Sequence, residues 1–338
     1  MQKHVIVTGG AGYIGSHTII ELLERTDYHV ISIDNFSNSS EKSYERVEHI
    51  TKKKFTKIHI DICDFEKLST ALYHFDDIVG VIHFAAFKSV EESTQDPLKY
   101  YHNNIMSLVN MLRICDQKQI SNFIFSSSCS VYGDSKVLPV TEETPLQKAA
   151  SPYGYTKQVG EEILEEFCTS KPYLKSIALR YFNPVGAHMS GLNGELPIHK
   201  PSNLVPIITQ TAAGKNTLVV HGNDYDTRDG TCIRDYVHVS DIADAHLKAL
   251  EFLLHGKVKH NYSVYNLGTG KGISVLEAIK AFEKVSNQKL NYTMGPRRPG
   301  DVVEIYSNST KANKDLGWTP KHNIDDMMLS AWKWQGLV

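Results

Sequence analysis

The stretch SPYGYTK, Ser151 to Lys157, sets two tyrosines close to one lysine, and a phenol beside an ammonium is equipment for moving a proton. A phenol with a pKa near 10 is a poor base at neutral pH. A neighbouring positive charge favours the phenolate and draws that pKa toward the working range, as general base catalysis requires. Of the seventeen tyrosines, those with a lysine four residues later are Tyr132 (Lys136) and Tyr153 (Lys157). About one such pair arises by chance at ordinary lysine frequency, so context has to separate them. Tyr132 runs into Gly133-Asp134-Ser135, turn residues that break a shared face. Tyr153 follows Ser151-Pro152, an N-cap and a first-turn proline, and helix formers continue to Phe167. One helical turn puts Tyr153 and Lys157 on the same face. Stepping by four from Tyr155 meets Val159, Ile163 and Phe167, an apolar stripe that predicts Tyr155 packed into the core. A third group is Ser128, in FSSSCSVYG at the end of a strand-like run. Its hydroxyl would hold an alcohol or ketone oxygen of a substrate at the ligand crevice, or would simply satisfy nearby backbone groups.

The elements that must position these residues read as alternating strands and helices. Apolar, β-branched runs at His4 to Thr8, His29 to Asp34, Lys57 to Ile62, Gly80 to Ala85, Asn122 to Ser127 and Ser176 to Tyr181 predict six strands. Helical patterns near 14–25, 41–51, 65–75, 97–117 and 152–170 lie between them. This is the signature of βαβ units and predicts an α/β fold with a Rossmann-type, doubly wound parallel sheet. The first strand enters GGAGYIG, which places Gly9, Gly12 and Gly15 at the entrance to the first helix. Such glycines allow a tight turn, close approach of backbone to a pyrophosphate, and close packing of helix on strand. Asp34 closes the second strand about 20 residues further on, where an acid accepts from ribose hydroxyls and repels a 2′-phosphate. NAD is therefore expected over NADP.

Beyond about residue 183 glycine and proline become frequent (Pro184, Gly186, Gly191, Gly194, Pro197, Pro201, Pro206) and regular segments shorten. The expected division is a NAD-binding domain over 1–182 and a smaller C-terminal α+β substrate domain over 183–338. Segments near 235–268, with a helix at Ile242 to Leu254 and a strand at Ser263 to Leu267, are expected to return to the large sheet.

Composition narrows the function. The 338 residues are 41% hydrophobic and 22% charged with a formal charge of -2, values ordinary for a soluble globular chain. No run of like charge points to nucleic acid, and Lys52-Lys53-Lys54 is expected at an exposed helix end. No apolar stretch approaches the length of a membrane span, and the opening MQKHVIVTGG lacks the apolar region of a leader. The five scattered cysteines form no C-x-x-C pair and the sixteen histidines no H-E-x-x-H spacing, so no disulfide framework and no metal site are expected. A reduced, cytoplasmic protein is the expectation.

Taken together, TGGAGYIGSH, FSSSCSVYGD, SPYGYTK and RYFNPVGAH resemble the extended short-chain dehydrogenase/reductases, and within them the UDP-galactose (UDP-glucose) 4-epimerases. The resemblance spans essentially the whole chain, continuing through NLVP, GNDYDTRDGTCIRDYVHVSDIADAH, YNLGTG and RRPGD to the terminal WKWQ. It implies Tyr153 as the acid/base, Lys157 as its partner and a ligand of the nicotinamide ribose, and Ser128 as a helper at the sugar hydroxyl. It implies NAD contacts from Gly9, Gly12, Tyr13, Ile14 and Gly15, from Asp34, Asn35, Phe36, Ser37, Asn38 and Ser39, and from Asp61 and Ile62. Phe84, Ala85, Ala86, Phe87, Lys88, Asn103 and Phe182 complete that set with Ser128, Tyr153 and Lys157. UDP-sugar contacts are implied for Lys88, Ser128, Tyr153, Asn183, Asn203, Leu204, Arg234, Arg298, Asp301 and Ile305. Permanently charged, fork-shaped guanidinium groups suit a diphosphate, although a lone arginine more often serves a surface ion pair. Asp61 would accept from an adenine amino group or cap a helix.

The implied reaction is inversion of carbon 4 of a UDP-hexose through a transient 4-keto sugar, with no net redox change. The family resemblance also implies a homodimer. The nearest rival, a nucleotide-sugar 4,6-dehydratase, resembles this chain but carries an Asp-Glu pair where Cys129 and Ser130 stand, and neither does a carboxyl's work. Epimerases of UDP-GlcNAc/GalNAc, UDP-pentoses or UDP-uronates stay open, as does a non-catalytic NAD-binding protein. In the family the position of Ile305 lines the sugar pocket, where an aromatic excludes an N-acetyl group and a small residue admits it.

Overall fold

The structure, a computed structural model, describes residues 2–196, 201, 203–298 and 301–338. Pro197, together with Pro299 and Gly300 of the RRPGD motif, lies outside them. The first half alternates strand and helix: β1 (His4–Thr8), α1 (Tyr13–Arg25), β2 (His29–Asp34), α2 (Lys42–Thr51), β3 (Thr56–His59), α3 (Phe65–Leu72) and β4 (Ile78–His83). Then come α4 (Val90–Gln95), α5 (Pro97–Lys118), β5 (Asn122–Ser128), α6 (Pro152–Ser170) and β6 (Lys175–Tyr181). The second half holds β7 (Asn183–Val185), α7 (Leu204–Ala212), β8 (Leu218–His221), β9 (Ile233–His238), α8 (Val239–Leu254) and β10 (Tyr262–Leu267). It ends with β11 (Gly272–Ser274), α9 (Val275–Ser286), β12 (Tyr292–Gly295), β13 (Glu304–Ile305), α10 (Thr310–Leu316) and α11 (Ile324–Gln335).

Seven parallel strands form the main sheet in the order β10-β6-β5-β4-β1-β2-β3. The chain winds outward from β1 through β2 and β3, then crosses back to build β4, β5 and β6 on the other side. The loops after β1 and β4 therefore part company at a topological switch point, where such sheets open a ligand crevice. The strand predicted over Lys57 to Ile62 is shorter, Thr56–His59, and that predicted from Gly80 begins at Ile78, so Asp61, Ile62, Phe84 and Ala85 fall in loops at this edge.

Both faces of the sheet are covered, which explains the unbroken apolar run HVIVT. Val5 and Val7 of β1 face one layer with Ile19 and Leu23 of α1 and Leu250 of α8, while Ile6 faces the other with Leu108 and Met111 of α5 and Leu164 of α6. A third core, including Val185, Ile208, Leu218, Phe282 and Met328, sits beneath the second half. There β9 pairs with β7, β11 and β13, and β8 with β12.

Helix α6 starts where Ser151 and Pro152 predict, with Ser151 Oγ accepting from the Gly154 amide at 3.1 Å. Its buried face differs from the predicted one. Tyr155 is 50% exposed and meets Tyr101 of α5 edge-on at 6.1 Å, while Val159, Ile163 and Phe167 are only partly covered. The face turned inward carries Lys157, Gln158, Glu161, Leu164 and Cys168. Its polar members all find partners: Gln158 Nε2 donates to the Val131 and Gln147 carbonyls at 2.8 and 2.7 Å. Glu161 takes Arg180 Nε at 2.9 Å and Ser127 Oγ at 2.5 Å. Satisfied polar groups are cheap to bury, so the hydrophobic stripe did not decide the orientation.

Candidate active site

Glycines at the end of β1 do different work. Gly9 adopts φ +68°, and a Cβ there would lie 2.8 Å from the Ala85 amide nitrogen in the loop after β4. A Cβ on Gly15 would come within 2.3 Å of the Gly9 carbonyl oxygen, so this glycine lets helix lie on strand. Gly12 is different, since a Cβ there would meet Gly9 O at 3.1 Å and no other atom within contact range. It is also the N-cap of α1 with no side-chain cap, leaving the first-turn amides pointing outward with the positive end of the helix dipole behind them. Bare backbone and open space suit a pyrophosphate.

Asp34 is buried at the next strand end, where its carboxylate accepts from the Ala11 amide at 3.0 Å, the Phe36 amide at 2.8 Å and Ser39 Oγ at 2.8 Å. Burial pushes its carboxyl above the usual range and these three donors pull it back. The acid thus ties the glycine loop to the Asn35–Ser39 loop and retains lone pairs for ribose hydroxyls. Asp61 does not cap α3; Asp64 does, accepting from the Lys67 amide at 3.2 Å. Asp61 instead accepts from the Cys63 amide at 2.8 Å, and Asn110 Nδ2 holds the Ile62 carbonyl at 2.9 Å. The loop carrying Phe84 to Lys88 is fixed by Asn104, whose amide side chain accepts from the Phe87 amide at 2.9 Å and donates to the Phe87 carbonyl and to Thr156 Oγ1. Asn103 donates to Asn104 Oδ1 at 2.9 Å. Phe182 is buried, its amide donating to Leu267 O at 3.2 Å.

Ser128, Tyr153 and Lys157 come together at the carboxyl edge of β5. The start of α6 presses on the turn Cys129–Tyr132, where a Cβ on Gly154 would be 3.2 Å from Ser130 O, and this brings Tyr153 over the end of the strand. Burial pushes the Tyr153 phenol up to about 12, and a hydrogen bond with the Ser128 hydroxyl works against that rise. Lys157 is buried, donates to the Ser126 carbonyl at 2.7 Å, and stands 6.0 Å from the centre of the Tyr153 ring. Desolvation lowers its ammonium to about 8, with Glu161 one turn away opposing the shift. One of its three hydrogens is used on Ser126, which leaves donors for a ligand. The decoy pair separates as its context predicts: Tyr132 is fully buried and donates to Asn266 Oδ1 at 2.6 Å, while Lys136 is an exposed partner of Asp134 at 2.5 Å.

In the second half of the chain, Arg234 Nη2 and Arg298 Nε converge on Asp301 at 3.7 and 3.3 Å. Ile305 is buried in register beside Arg234. Arg234 also lies near enough to Cys129 to depress its thiol, although burial dominates and pushes that thiol up to about 12. Cys129 thus presents a neutral thiol and no carboxylate. Asn183 begins β7 opposite Tyr236 of β9. Asn203 forms the N-cap of α7, ahead of Leu204, without side-chain capping. Instead it donates to Glu195 Oε1 at 2.9 Å, which also takes Lys88 Nζ at 2.8 Å. Glu195 was invisible in the sequence: it lies 107 residues from Lys88, in a segment without periodicity or motif spacing. Among the described residues no cluster of His, Cys, Asp and Glu could hold a metal ion, and no helix is long and apolar enough to cross a membrane.

Comparison with known proteins fits this geometry to a family. The family model described as GDP-mannose 4,6 dehydratase matches residues 6–330. UDP-glucose 4-epimerase of Dictyostelium discoideum is 49% identical over 338 residues, covering 100% of this chain and 97% of the relative. The chain belongs to the UDP-glucose 4-epimerase family. The epimerase of Bacillus subtilis (strain 168) is 45% identical over 332 residues, with 98% of this chain and 96% of the relative covered. A crystal structure of UDP-glucose 4-epimerase from Bifidobacterium longum, in complex with NAD+ and UDP, superposes with a TM-score of 0.94 at 45% identity, covering 99% of this chain and 98% of that one. The parallel seven-stranded sheet and its flanking helices are thus the fold of the UDP-glucose 4-epimerases.

Proposed function

We propose that Tyr153, Lys157 and Ser128 carry the chemistry of this chain, the NAD-dependent inversion of carbon 4 of a UDP-hexose that interconverts UDP-galactose and UDP-glucose. The observation that carries the assignment is the meeting of these three side chains at the carboxyl edge of β5, with Lys157 buried against the Ser126 carbonyl. Bound NAD supplies the acceptor for the hydride of carbon 4 and, once reduced, its donor. Tyr153 Oη takes the proton of the 4-hydroxyl and later returns it. Ser128 Oγ steadies the same oxygen. Lys157 Nζ lowers the cost of the phenolate and binds the cofactor ribose. Gly9, Gly12, Tyr13, Ile14 and Gly15 bind the pyrophosphate, Asp34 to Ser39 the adenosine ribose, and Asp61 and Ile62 the adenine. Phe84 to Lys88, Asn103 and Phe182 line the rest. Asn183, Asn203, Leu204, Arg234, Arg298 and Asp301 anchor the uridine diphosphate, so that the sugar turns while its nucleotide stays fixed.

The NAD-binding part is read as residues 1–182 with the segments near 235–268, where β10 runs beside β6, and the remainder of 183–338 as mainly UDP-sugar-binding. Two copies form the working unit, supported by an apolar strip of Leu98, Tyr101 and Ile105 on α5 continuous with Tyr155 on α6. The setting is the cytoplasm, in galactose metabolism. Ile305, intermediate in size, supports weak turnover of UDP-GalNAc; its absence under conditions that saturate with UDP-galactose would remove that activity.

The decisive assay is conversion of UDP-galactose by purified protein without added NAD. Tyr153→Phe should lower kcat by about 10³-fold, the scale of a positioned acid/base, while leaving the bound nucleotide in place. Wild-type turnover by that variant would overturn the role of Tyr153.

A further inference from the structure

We propose that Glu195 is a positioning residue whose carboxylate joins Lys88 of the cofactor loop to Asn203 of the nucleotide-binding helix, so that the two respond to substrate as one unit. The inference rests on the reading of Lys88 and Asn203 as ligand-binding side chains. Glu195 Oε1 accepts from Lys88 Nζ at 2.8 Å and from Asn203 Nδ2 at 2.9 Å. Lys88 follows β4 in the large sheet, and Asn203 opens α7 over the third core, so the carboxylate spans two separately built regions. Asn203 would ordinarily cap α7 with its own side chain. It makes no such bond, and its amide faces Glu195 instead.

The backbone beneath Glu195 is held as firmly as its side chain. Its carbonyl accepts from Trp334 Nε1 at 2.8 Å. Gly194 lies so close to the Trp334 ring that a Cβ would be 2.6 Å from Cγ, and Asn193 Nδ2 donates to Ser16 Oγ of α1 at 3.0 Å. The segment is thus pinned to α11 on one side and to the helix of the glycine loop on the other. A carboxylate needed only to neutralise Lys88 would have no use for Asn203 or for so fixed a mount. Charge-assisted bonds to one oxygen couple the two donors directly, because moving either weakens the other's geometry.

The test is a double-mutant cycle on kcat/KM for UDP-galactose with Lys88→Met and Asn203→Ala, run in the native chain and again in Glu195→Gln, with bound NAD and melting temperature measured on each. With Glu195 present, the double variant should lose about tenfold less than the product of the single losses, the size of coupling found for side chains sharing a hydrogen-bond network. In Glu195→Gln that coupling should fall below about twofold, and KM should rise about tenfold with kcat little changed, the pattern of lost binding without lost chemistry. Glu195→Asp keeps the charge but not the reach, so it should behave like the Gln variant and serves where the latter folds poorly. Coupling that persists undiminished in both variants, with both single variants impaired, overturns the role of Glu195 alone. Single variants that leave kcat/KM unchanged overturn the ligand reading of Lys88 and Asn203 and this proposal with it, while leaving the assignment of Tyr153 intact.

Discussion

Lys157 is a charged side chain where charge is expensive. Burial lowers its ammonium from an ordinary 10.5 to about 8, so between those values the folded chain binds fewer protons than the unfolded one. Stability then rises with pH across that window, and the penalty is fully present below about 8. Replacing the group should therefore stabilise the fold while damaging function. In protein freed of nucleotide, Lys157→Met should be about 2 kcal/mol more stable than the native chain at pH 7, a figure reduced from the full shift for the lost bond to Ser126 O. The advantage should vanish near pH 10, which paired denaturant titrations at both pH values would show; a gap independent of pH would mean that desolvation of the ammonium is not its origin. Turnover should move the other way. Without a cation beside it the Tyr153 phenol, already pushed up to about 12 by burial, gives up its proton less readily, and kcat should reach its plateau at a higher pH than in the native chain. Such a site trades stability for function.

At the scale of elements, the glycines of the β1–α1 turn divide between close packing and the proposed binding of NAD. Gly15→Ala must push the Gly9 carbonyl aside, whereas Gly12→Ala meets a single atom at 3.1 Å and then open space. The first should cost about 1–3 kcal/mol of stability, as overpacking does. The second should fold and melt nearly normally yet retain little NAD through purification, measured by absorbance of released nucleotide; full NAD occupancy in Gly12→Ala would place the pyrophosphate elsewhere. This loop was legible in the sequence because its position, after a strand and before a helix, carried as much information as its glycines. The span of α6 was legible for a similar reason, since Ser151 and Pro152 mark a helix start by local chemistry alone. Its orientation was not. The stripe from Tyr155 counted only apolar side chains, and partners for Gln158 and Glu161 come from Gln147, Val131, Ser127 and Arg180, contacts that exist only once the chain has folded. Glu195 was hidden for the same physical reason. Its meaning comes from Lys88 and Asn203 converging on one oxygen, and no local pattern encodes that meeting.

On the scale of the whole molecule, the two halves must keep register if Arg234, the proposed diphosphate anchor, is to face Tyr153. Asp235 sits at that joint. It is fully buried in β9, next to Arg234, and its carboxylate accepts from Thr269 N at 2.8 Å, Thr269 Oγ1 at 2.5 Å and Gly270 N at 3.0 Å in the loop that leaves β10. The same group accepts from Ser307 N at 3.1 Å and Ser307 Oγ at 2.9 Å just beyond β13. One side chain thus binds the edge of the seven-stranded sheet to both the strand that carries Arg234 and the strand that carries Ile305. Five donors on two oxygens match a carboxylate and no other side chain of that size. Asp235→Asn keeps the volume but turns one acceptor into a donor that faces other donors, which leaves buried groups unpaired at about 1–3 kcal/mol each. The melting temperature should drop by several degrees. KM for UDP-galactose should rise more than kcat falls, because Arg234 and Ile305 lose their fixed mount while Ser128, Tyr153 and Lys157 are carried by β5 and α6. A variant that melts lower with an unchanged KM would show that Asp235 holds the fold together without setting the anchor. Loss of kcat at constant KM would mean that the joint reaches Ser128, Tyr153 and Lys157.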